Sequence, residues 1–171
     1  PTAGLWLVAV VGVAMLTALN GTAIWALAAV AGSAIFVWLA FAGIRMDEAD
    51  GLITQGDENT QLTWMDAKCN GVAFTPRQGK PVEINALWCS ALRALSTALM
   101  KSDATASANL SDLAAAAAKS FAARFWNPAR SCLYDCLTPS DAGAAWASND
   151  EVRPNQIFAV SLPASPLSPE R

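Results

Sequence analysis

The sequence has 171 residues, of which 54% are hydrophobic, and it carries a formal net charge of −3 with no histidine. The negative charge and the lack of a basic stripe argue against nucleic acid as a partner, because a protein binds it by neutralising phosphates. Without histidine there is no Ser-His or Cys-His nucleophile, so carboxylates remain as the natural acids and bases.

The first 44 residues contain no Asp, Glu, Lys or Arg. Two apolar runs, 5–19 and 23–43, are separated by Asn20-Gly21-Thr22. The second run is long enough to span a bilayer, which takes about 20 residues. A transmembrane hairpin that anchors the protein in a membrane is one interpretation. The other is a pair of packed helices that are buried on most sides and therefore apolar all round.

Acidic residues are concentrated at 47–51 and 57–59. Neither run has the calcium-binding loop with its terminal glutamate, so we expect solvated loops, no metal site and no cofactor. The cysteines are neither dense nor arranged as a CxxC pair, and we expect them to be reduced and structural, as in a cytoplasmic enzyme. They are Cys69, Cys89, Cys132 and Cys136.

A polar block with tryptophans runs from Gln61 to Trp88, reading QLTWMDAK, a short spacer and TPRQGKPVEINALW. Sugars have an apolar face of C–H bonds and a rim of hydroxyls, so their sites pair a flat aromatic such as Trp64 with charged groups. Glycoside hydrolysis uses two carboxyls, and Asp66 is a candidate for the one that protonates the leaving oxygen. The residues alone leave an alternative, in which Asp66 and Lys68 cap or bridge a loop.

Apolar residues at intervals of three and four predict a helix from Pro81 to about Lys101. A second helix is predicted from about Leu110 to Trp126, capped by Asn109 or Ser111 and ended by Asn127-Pro128. The other predicted elements are short or irregular. They are a linker at 102–108, a strand or loop at 132–138, a surface excursion at 139–150 and a short helix at 153–163.

Four ordered segments resemble the C-terminal domain of glycogen debranching enzymes, the amylo-α-1,6-glucosidase family. They are GIRMDEADGLITQG at 43–56, the block at 61–88, FWNPARSCLYD at 125–135 and RPNQIFAVSLP at 153–163. The resemblance, which covers 43–163, implies an all-α fold, an (α/α)6 barrel of the six-hairpin glycosidase type. It implies a cytoplasmic enzyme that hydrolyses the α-1,6-linked glucose at branch points of glycogen or limit dextrin with inversion.

The resemblance places the general acid of the family at Asp66. It also implies that matching positions bind the substrate or brace the pocket. These are Trp64, Lys68, Arg77, Lys80, Glu83, Asn85, Arg153 and Asn155. The second carboxylate of the family lies beyond the last matching segment, and Glu83, near a helix N-terminus, suits a substrate-binding or bracing role better.

A six-hairpin barrel needs about twelve helices, which is more than this length provides. We therefore expect all 171 residues to be part of one barrel, a fragment that carries the acid side of the site and pairs with the rest of the barrel. On this interpretation the first 44 residues are barrel helices, and membrane anchoring is the alternative. A second alternative is a carbohydrate-binding remnant that cannot cleave.

Overall fold

The computed structural model describes residues 30–35, 42–140, 143–168 and 170. The chain divides into two compact units, Pro1–Phe41 and Ala42–Arg171, and only the helical residues 30–35 of the first unit are described. The charge-free segment of residues 1–44, with both predicted helices or membrane spans, therefore lies mostly outside the described residues, which include only 30–35 and 42–44 of it. Within the described ranges, no helix is both long enough and apolar enough to cross a membrane.

The second unit combines helices with short antiparallel strands, so the expectation of an all-α fold, a partial (α/α)6 barrel, is wrong. The strands are β1 Arg45–Met46, β2 Ile53–Thr54, β3 Lys68–Cys69, β4 Val72–Ala73, β5 Lys80–Pro81, β6 Trp126–Asn127, β7 Cys132–Leu133, β8 Cys136–Ser140 and β9 Gly143–Asn149. Strands β1 and β2, β3 and β4, and β6 and β7 form pairs, and β5, β8 and β9 form a sheet in that order.

The residues of one tight turn explain why part of the second unit forms strands rather than helices. The β3–β4 hairpin turns at Asn70 and Gly71, whose φ angles are 52° and 80°. Asn-Gly is the preferred pair for a two-residue hairpin turn because both of its positions need a positive φ. Ala147, Ser148 and Asp150 are exposed, which agrees with the predicted surface excursion at 139–150, but most of this segment is strand β9, which was not predicted. Strands β7 and β8 confirm extended backbone at 132–138.

The helices are α1 Val82–Leu99, α2 Ala104–Phe125 and α3 Phe158–Ser161, with a 3-10 turn at Pro154–Ile157 before α3. The first predicted helix and the short helix at 153–163 are thus confirmed. Helix α2 begins six residues before the predicted Leu110, because the side chain of Asp103 accepts a hydrogen bond from the Ala106 amide at 2.9 Å. The predicted caps Asn109 and Ser111 are therefore wrong, as is the linker beyond residue 103.

Apolar side chains from α1, α2, α3, β7 and β8, and from the residue before β2, meet in one core. They are Leu52, Val82, Ala86, Cys89, Leu92, Ala114, Ala117, Phe121, Phe125, Leu133, Leu137 and Ala159. The start of α1 is fixed beside β8, because the Val82 amide donates to the Asp135 carbonyl at 3.0 Å. The core therefore holds the first turn of α1, including Glu83, next to the residue that precedes β8.

Gly79 gives a test of how tightly this region is packed. It has φ +101°, and a Cβ added to it would lie 2.3 Å from the carbonyl oxygen of Leu137 in β8. We expect Gly79→Ala to lower the free energy of unfolding by more than about 2 kcal/mol, because strain and backbone overlap act together. Urea titration measures this loss.

Gly71→Ala is the matched control. Gly71 also has a positive φ, +80°, but an added Cβ meets no described atom within 4 Å. We expect a loss of about 1 kcal/mol from conformation alone, because the left-handed conformation brings a Cβ close to the following carbonyl oxygen. Equal losses at the two glycines would contradict the close packing of Gly79 against β8.

Candidate active site

Asp135, which directly precedes β8, is fully buried and is the centre of a polar cluster. The Asp135 cluster consists of Arg77, Glu83, Asp135, Arg153 and Asn155. Arg77 Nη1 donates to Asp135 Oδ2 at 2.5 Å, and Arg77 Nη2 donates to Glu83 Oε2. The Arg77 side chain has no exposed surface, so its charge is balanced by these two carboxylates rather than by water.

Arg153 and Asn155 complete the cluster from the segment before α3. Arg153 Nε forms an ion pair with Asp135 Oδ2 at 3.1 Å. Asn155 Nδ2 donates to Glu83 Oε2 at 2.8 Å and to Asp135 Oδ1 at 3.4 Å. Two arginines thus face two buried carboxylates, and the cluster holds together three segments that are distant in the sequence.

Neighbouring carboxylates stabilise the charged form of Arg77. Burial is the largest single influence and lowers the pKa of Arg77, but Glu83 and Asp135 together outweigh it and leave that pKa above its ordinary value. A buried ion pair is costly to break, because the remaining charge has no partner. The cluster therefore stabilises the contact between its three segments through buried ion pairs.

Glu83 and Asp135 do not have the spacing of an inverting acid–base pair. Their oxygens Oε2 and Oδ1 lie 2.8 and 3.4 Å from one nitrogen, Asn155 Nδ2. They are therefore closer to each other than the about 6.5–9.5 Å that leaves room for a water in an inverting pair. Four buried atoms of the cluster have no hydrogen-bond partner among the described residues, namely Arg77 Nε, Glu83 Oε1, Arg153 Nε and Asn155 Oδ1. Arg153 Nε is held by its ion pair with Asp135 alone.

Asp66 lies in a separate part of the site, residues 62–75, which we call the Asp66 hairpin because it includes β3 and β4. Asp66 Oδ2 accepts from the amides of Leu62 and Thr63 at 2.9 and 3.2 Å, and Oδ1 accepts from Thr63 at 3.1 Å. Lys68 Nζ donates to the Glu58 carbonyl at 2.6 Å. These contacts confirm the loop-capping alternative, and the role of Asp66 as an acid stays a prediction.

The Asp66 hairpin carries exposed apolar side chains. Trp64 is 69% exposed, Val72 68% and Phe74 72%. The hairpin closes where the Phe74 amide donates to the Ala67 carbonyl at 3.0 Å. An exposed tryptophan two residues from a fixed carboxyl is an arrangement that can contact the C–H face of a sugar.

Lys80 belongs to a third group of contacts, the Lys80 cluster. Its buried Nζ lies 2.6 Å from Asp47 Oδ2 and 2.6 Å from Asp50 Oδ2. Arg124 Nε pairs with Asp50 at 3.0 Å, and the Trp146 ring centroid lies 4.3 Å from Lys80 Nζ. The prediction of a solvated loop at 47–51 is therefore wrong for Asp50, which is buried.

Asn85 forms hydrogen bonds with the backbone of β2. Its Oδ1 accepts from the Ile53 amide at 2.7 Å, and its Nδ2 donates to the Ile53 carbonyl at 3.0 Å. The same Nδ2 donates to the Pro81 carbonyl at 3.0 Å. Both functional ends of the side chain are thus used to hold β2 against α1.

The structure brings together Arg77, Glu83, Arg153 and Asn155 from the predicted site, and it places Lys80 and Asn85 in separate contacts. Sequence reasoning missed Asp135, Asp47 and Asp50 as partners of the buried cations. A local signal existed for Asp135, which ends the segment FWNPARSCLYD directly after apolar residues. An acid in such a position is rarely buried without a cationic partner.

The comparisons with known proteins identify the family. The model of the family described as amylo-alpha-1,6-glucosidase matches residues 7–171, so the chain belongs to this family, which confirms the resemblance. It is a glycosidase-related domain of the glycogen debranching type. No curated protein and no solved structure matches the chain significantly.

The Asp135 cluster predicts a large effect on stability. Asp135→Asn preserves the side-chain shape but removes the charge that faces Arg77 and Arg153. We expect it to lower the free energy of unfolding by about 3–5 kcal/mol, because buried positive charge is left uncompensated. Urea titration of the variant and the unchanged chain measures the difference.

Asp112→Asn is the matched control, since Asp112 is exposed on α2. We expect this change to stay within about 0.5 kcal/mol of the unchanged chain. A similar small effect for Asp135→Asn would show that the cluster does not stabilise the fold.

The Lys80 cluster predicts a dependence on pH. The hydrogen bond to Lys80 is the main reason that the pKa of Asp47 lies below its ordinary value of 3.8, although burial acts in the other direction. A carboxyl with a lowered pKa in the folded state stabilises the fold above its unfolded pKa, and this contribution disappears as the pH falls through the folded pKa. We therefore expect stability to fall below about pH 4.

Asp47→Asn removes the titrating group and should flatten this acid dependence. Urea titrations between about pH 2 and pH 7 measure the free energy of unfolding for both proteins. An identical acid dependence with and without the Asp47 carboxyl would contradict the assignment.

Proposed function

We propose that the chain supplies the acid side of a glycosidase site that hydrolyses α-1,6-linked glucose at branch points of a glycogen-like glucan with inversion. Asp66 is the general acid in this proposal. The observation that carries it is a carboxyl fixed by backbone hydrogen bonds, two residues after the exposed Trp64, in a chain that belongs to the amylo-alpha-1,6-glucosidase family. The substrate is glycogen or limit dextrin, and the location is the cytoplasm.

The contacts of Asp66 leave one place for a transferable proton. Oδ2 accepts two backbone hydrogen bonds, whereas Oδ1 accepts one from Thr63. Each carboxyl oxygen has two lone-pair sites, so Oδ1 retains one to which no described residue donates. The backbone contacts fix the orientation of the carboxyl, which is a requirement for proton transfer at a defined atom.

The reaction follows the inverting scheme of glycosidases. The proton of Asp66 passes to the α-1,6 glycosidic oxygen as the bond from this oxygen to C1 breaks. Water attacks C1 from the opposite face, and a second carboxylate accepts the proton of this water. We do not assign this base to Glu83, because Glu83 Oε2 is bound to Arg77 and Asn155.

Trp64 and Lys68 are the proposed substrate contacts on the Asp66 hairpin. The ring of Trp64 supplies an apolar platform for a glucose unit, and Lys68 supplies a donor for hydroxyls. The other predicted substrate-binding residues are buried or bound to protein groups, and we propose that they brace the site. They are Arg77, Lys80, Glu83, Asn85, Arg153 and Asn155.

A second candidate function is binding of a branched glucan without cleavage. It is favoured by the engagement of Glu83 and Asp135 with Arg77, which leaves neither as an evident partner for Asp66. Calorimetry with a branched maltooligosaccharide separates the two functions. Binding without release of glucose supports the binding function, and release of glucose supports the enzyme.

Asp66→Asn tests the proposed acid. Asparagine keeps one acceptor for the loop amides but cannot donate the proton at neutral pH. We expect α-1,6-glucosidase activity of the full-length protein to fall by about 10²–10⁴-fold. Release of glucose from a branched maltooligosaccharide measures the activity, and circular dichroism checks the fold.

Asp57→Asn is the matched control, because Asp57 Oδ1 also accepts a backbone hydrogen bond, from Asn59 at 2.8 Å, in a neighbouring turn. We expect this variant to keep its activity within about twofold, since an exposed turn residue has small effects. Full activity in Asp66→Asn would exclude Asp66 as the acid.

A further inference from the structure

We propose that Arg153 is a positioning residue that holds the Asp66 hairpin in place through a hydrogen bond to Thr75. This hydrogen bond, which we call the tie, sets the efficiency of proton transfer by Asp66. The inference rests on the proposed function and adds to it. The contact that carries it is the hydrogen bond from Arg153 Nη1 to Thr75 Oγ1 at 3.2 Å.

The Asp66 hairpin has few apolar anchors. Trp64, Val72 and Phe74 are each about 70% exposed, so hydrophobic packing of these side chains does little to fix it. Thr75, which ends the hairpin, is buried at 7% exposure. The hydrogen bond of Thr75 therefore attaches this end of the hairpin to Arg153, in addition to the covalent link to the buried Arg77 two residues later.

Arg153 is itself held at three points. Its Nε pairs with the buried Asp135 at 3.1 Å, its Nη2 pairs with Glu151, and its Nη1 reaches Thr75. The guanidinium is a rigid planar fork, so fixing two of its nitrogens fixes the direction of the third. The Asp135 cluster thereby sets the position of Thr75.

The path from Thr75 to Asp66 is short. The Phe74 amide, one residue before Thr75, donates to the carbonyl of Ala67, one residue after Asp66, at 3.0 Å. A shift of Thr75 is therefore passed to Asp66 through two covalent neighbours and one hydrogen bond. A misplacement of about 1 Å at a reacting group can reduce the rate about 10²-fold.

Thr75→Val in the full-length protein tests the tie, because valine has nearly the shape of threonine but cannot accept the hydrogen bond. Two substrates are compared, a branched maltooligosaccharide and α-glucosyl fluoride. The fluoride leaves as an anion when the C1–F bond breaks and water attacks C1, so this substrate needs no proton from Asp66.

We expect Thr75→Val to lower kcat for the branched substrate by about 10–100-fold with little change in KM. The rate with α-glucosyl fluoride should stay within about threefold, because only the proton donor is misplaced. Thr75→Ser restores the hydroxyl and should restore kcat. Thr97→Val is the control, since Thr97 Oγ1 donates to the Arg93 carbonyl on the exposed surface of α1.

Arg153→Lys tests the same hydrogen bond by changing its donor. Lysine has one side-chain nitrogen and cannot reproduce the three contacts of Arg153. It should give the same difference between the two substrates, which keeps the test valid if Thr75→Val folds poorly. Equal losses with both substrates, or no loss with either, would overturn the inference. An unchanged protein that cleaves the fluoride but no branched glucan would instead overturn the proposed function.

Discussion

The buried guanidinium of Arg77 is the constraint on which the rest of the second unit depends. A charge with no exposed surface needs counter-charges from the protein, because removing an ion from water costs several kcal/mol. Glu83 comes from the first turn of α1, and Asp135 directly precedes β8, 58 positions from Arg77. The fold must therefore bring these segments together, and the Val82 amide bonded to the Asp135 carbonyl reinforces the same junction.

Charge pairing holds the segment from Arg77 to Glu83 at a second point besides Arg77. Lys80, three residues after Arg77, is also fully buried, and its charge is balanced by Asp47 and Asp50. Gly79 lies between the two cations, where close approach of β8 leaves no room for a side chain. Charge pairing thus fixes this segment at Arg77 and at Lys80. The segment is therefore a rigid support for the candidate site. Rigid support of this kind is what the proposed general acid on the Asp66 hairpin requires.

Local patterns predicted the elements that depend on local physics. The apolar spacing of α1 predicted its position, and the Asn70-Gly71 pair was a usable signal for the hairpin that the all-α expectation overlooked. Strand β9 carried little signal, because its alanine-rich sequence has low strand preference and depends on pairing with β8. The role of Asp135 could not be derived locally, since its partners come from distant segments. Family resemblance proposed the residues of the site but not which of them contact one another in the Asp135 cluster.

Amide hydrogen exchange in Thr75→Val measures the link between the Asp135 cluster and the Asp66 hairpin most directly. The Phe74 amide reports on the hairpin, and the Cys89 amide, within α1 in the core, reports on the unit as a whole. We predict that exchange at Phe74 becomes about tenfold faster or more while exchange at Cys89 keeps its rate, because the hairpin alone is released. An unchanged rate at Phe74, or the same acceleration at both amides, would contradict the account.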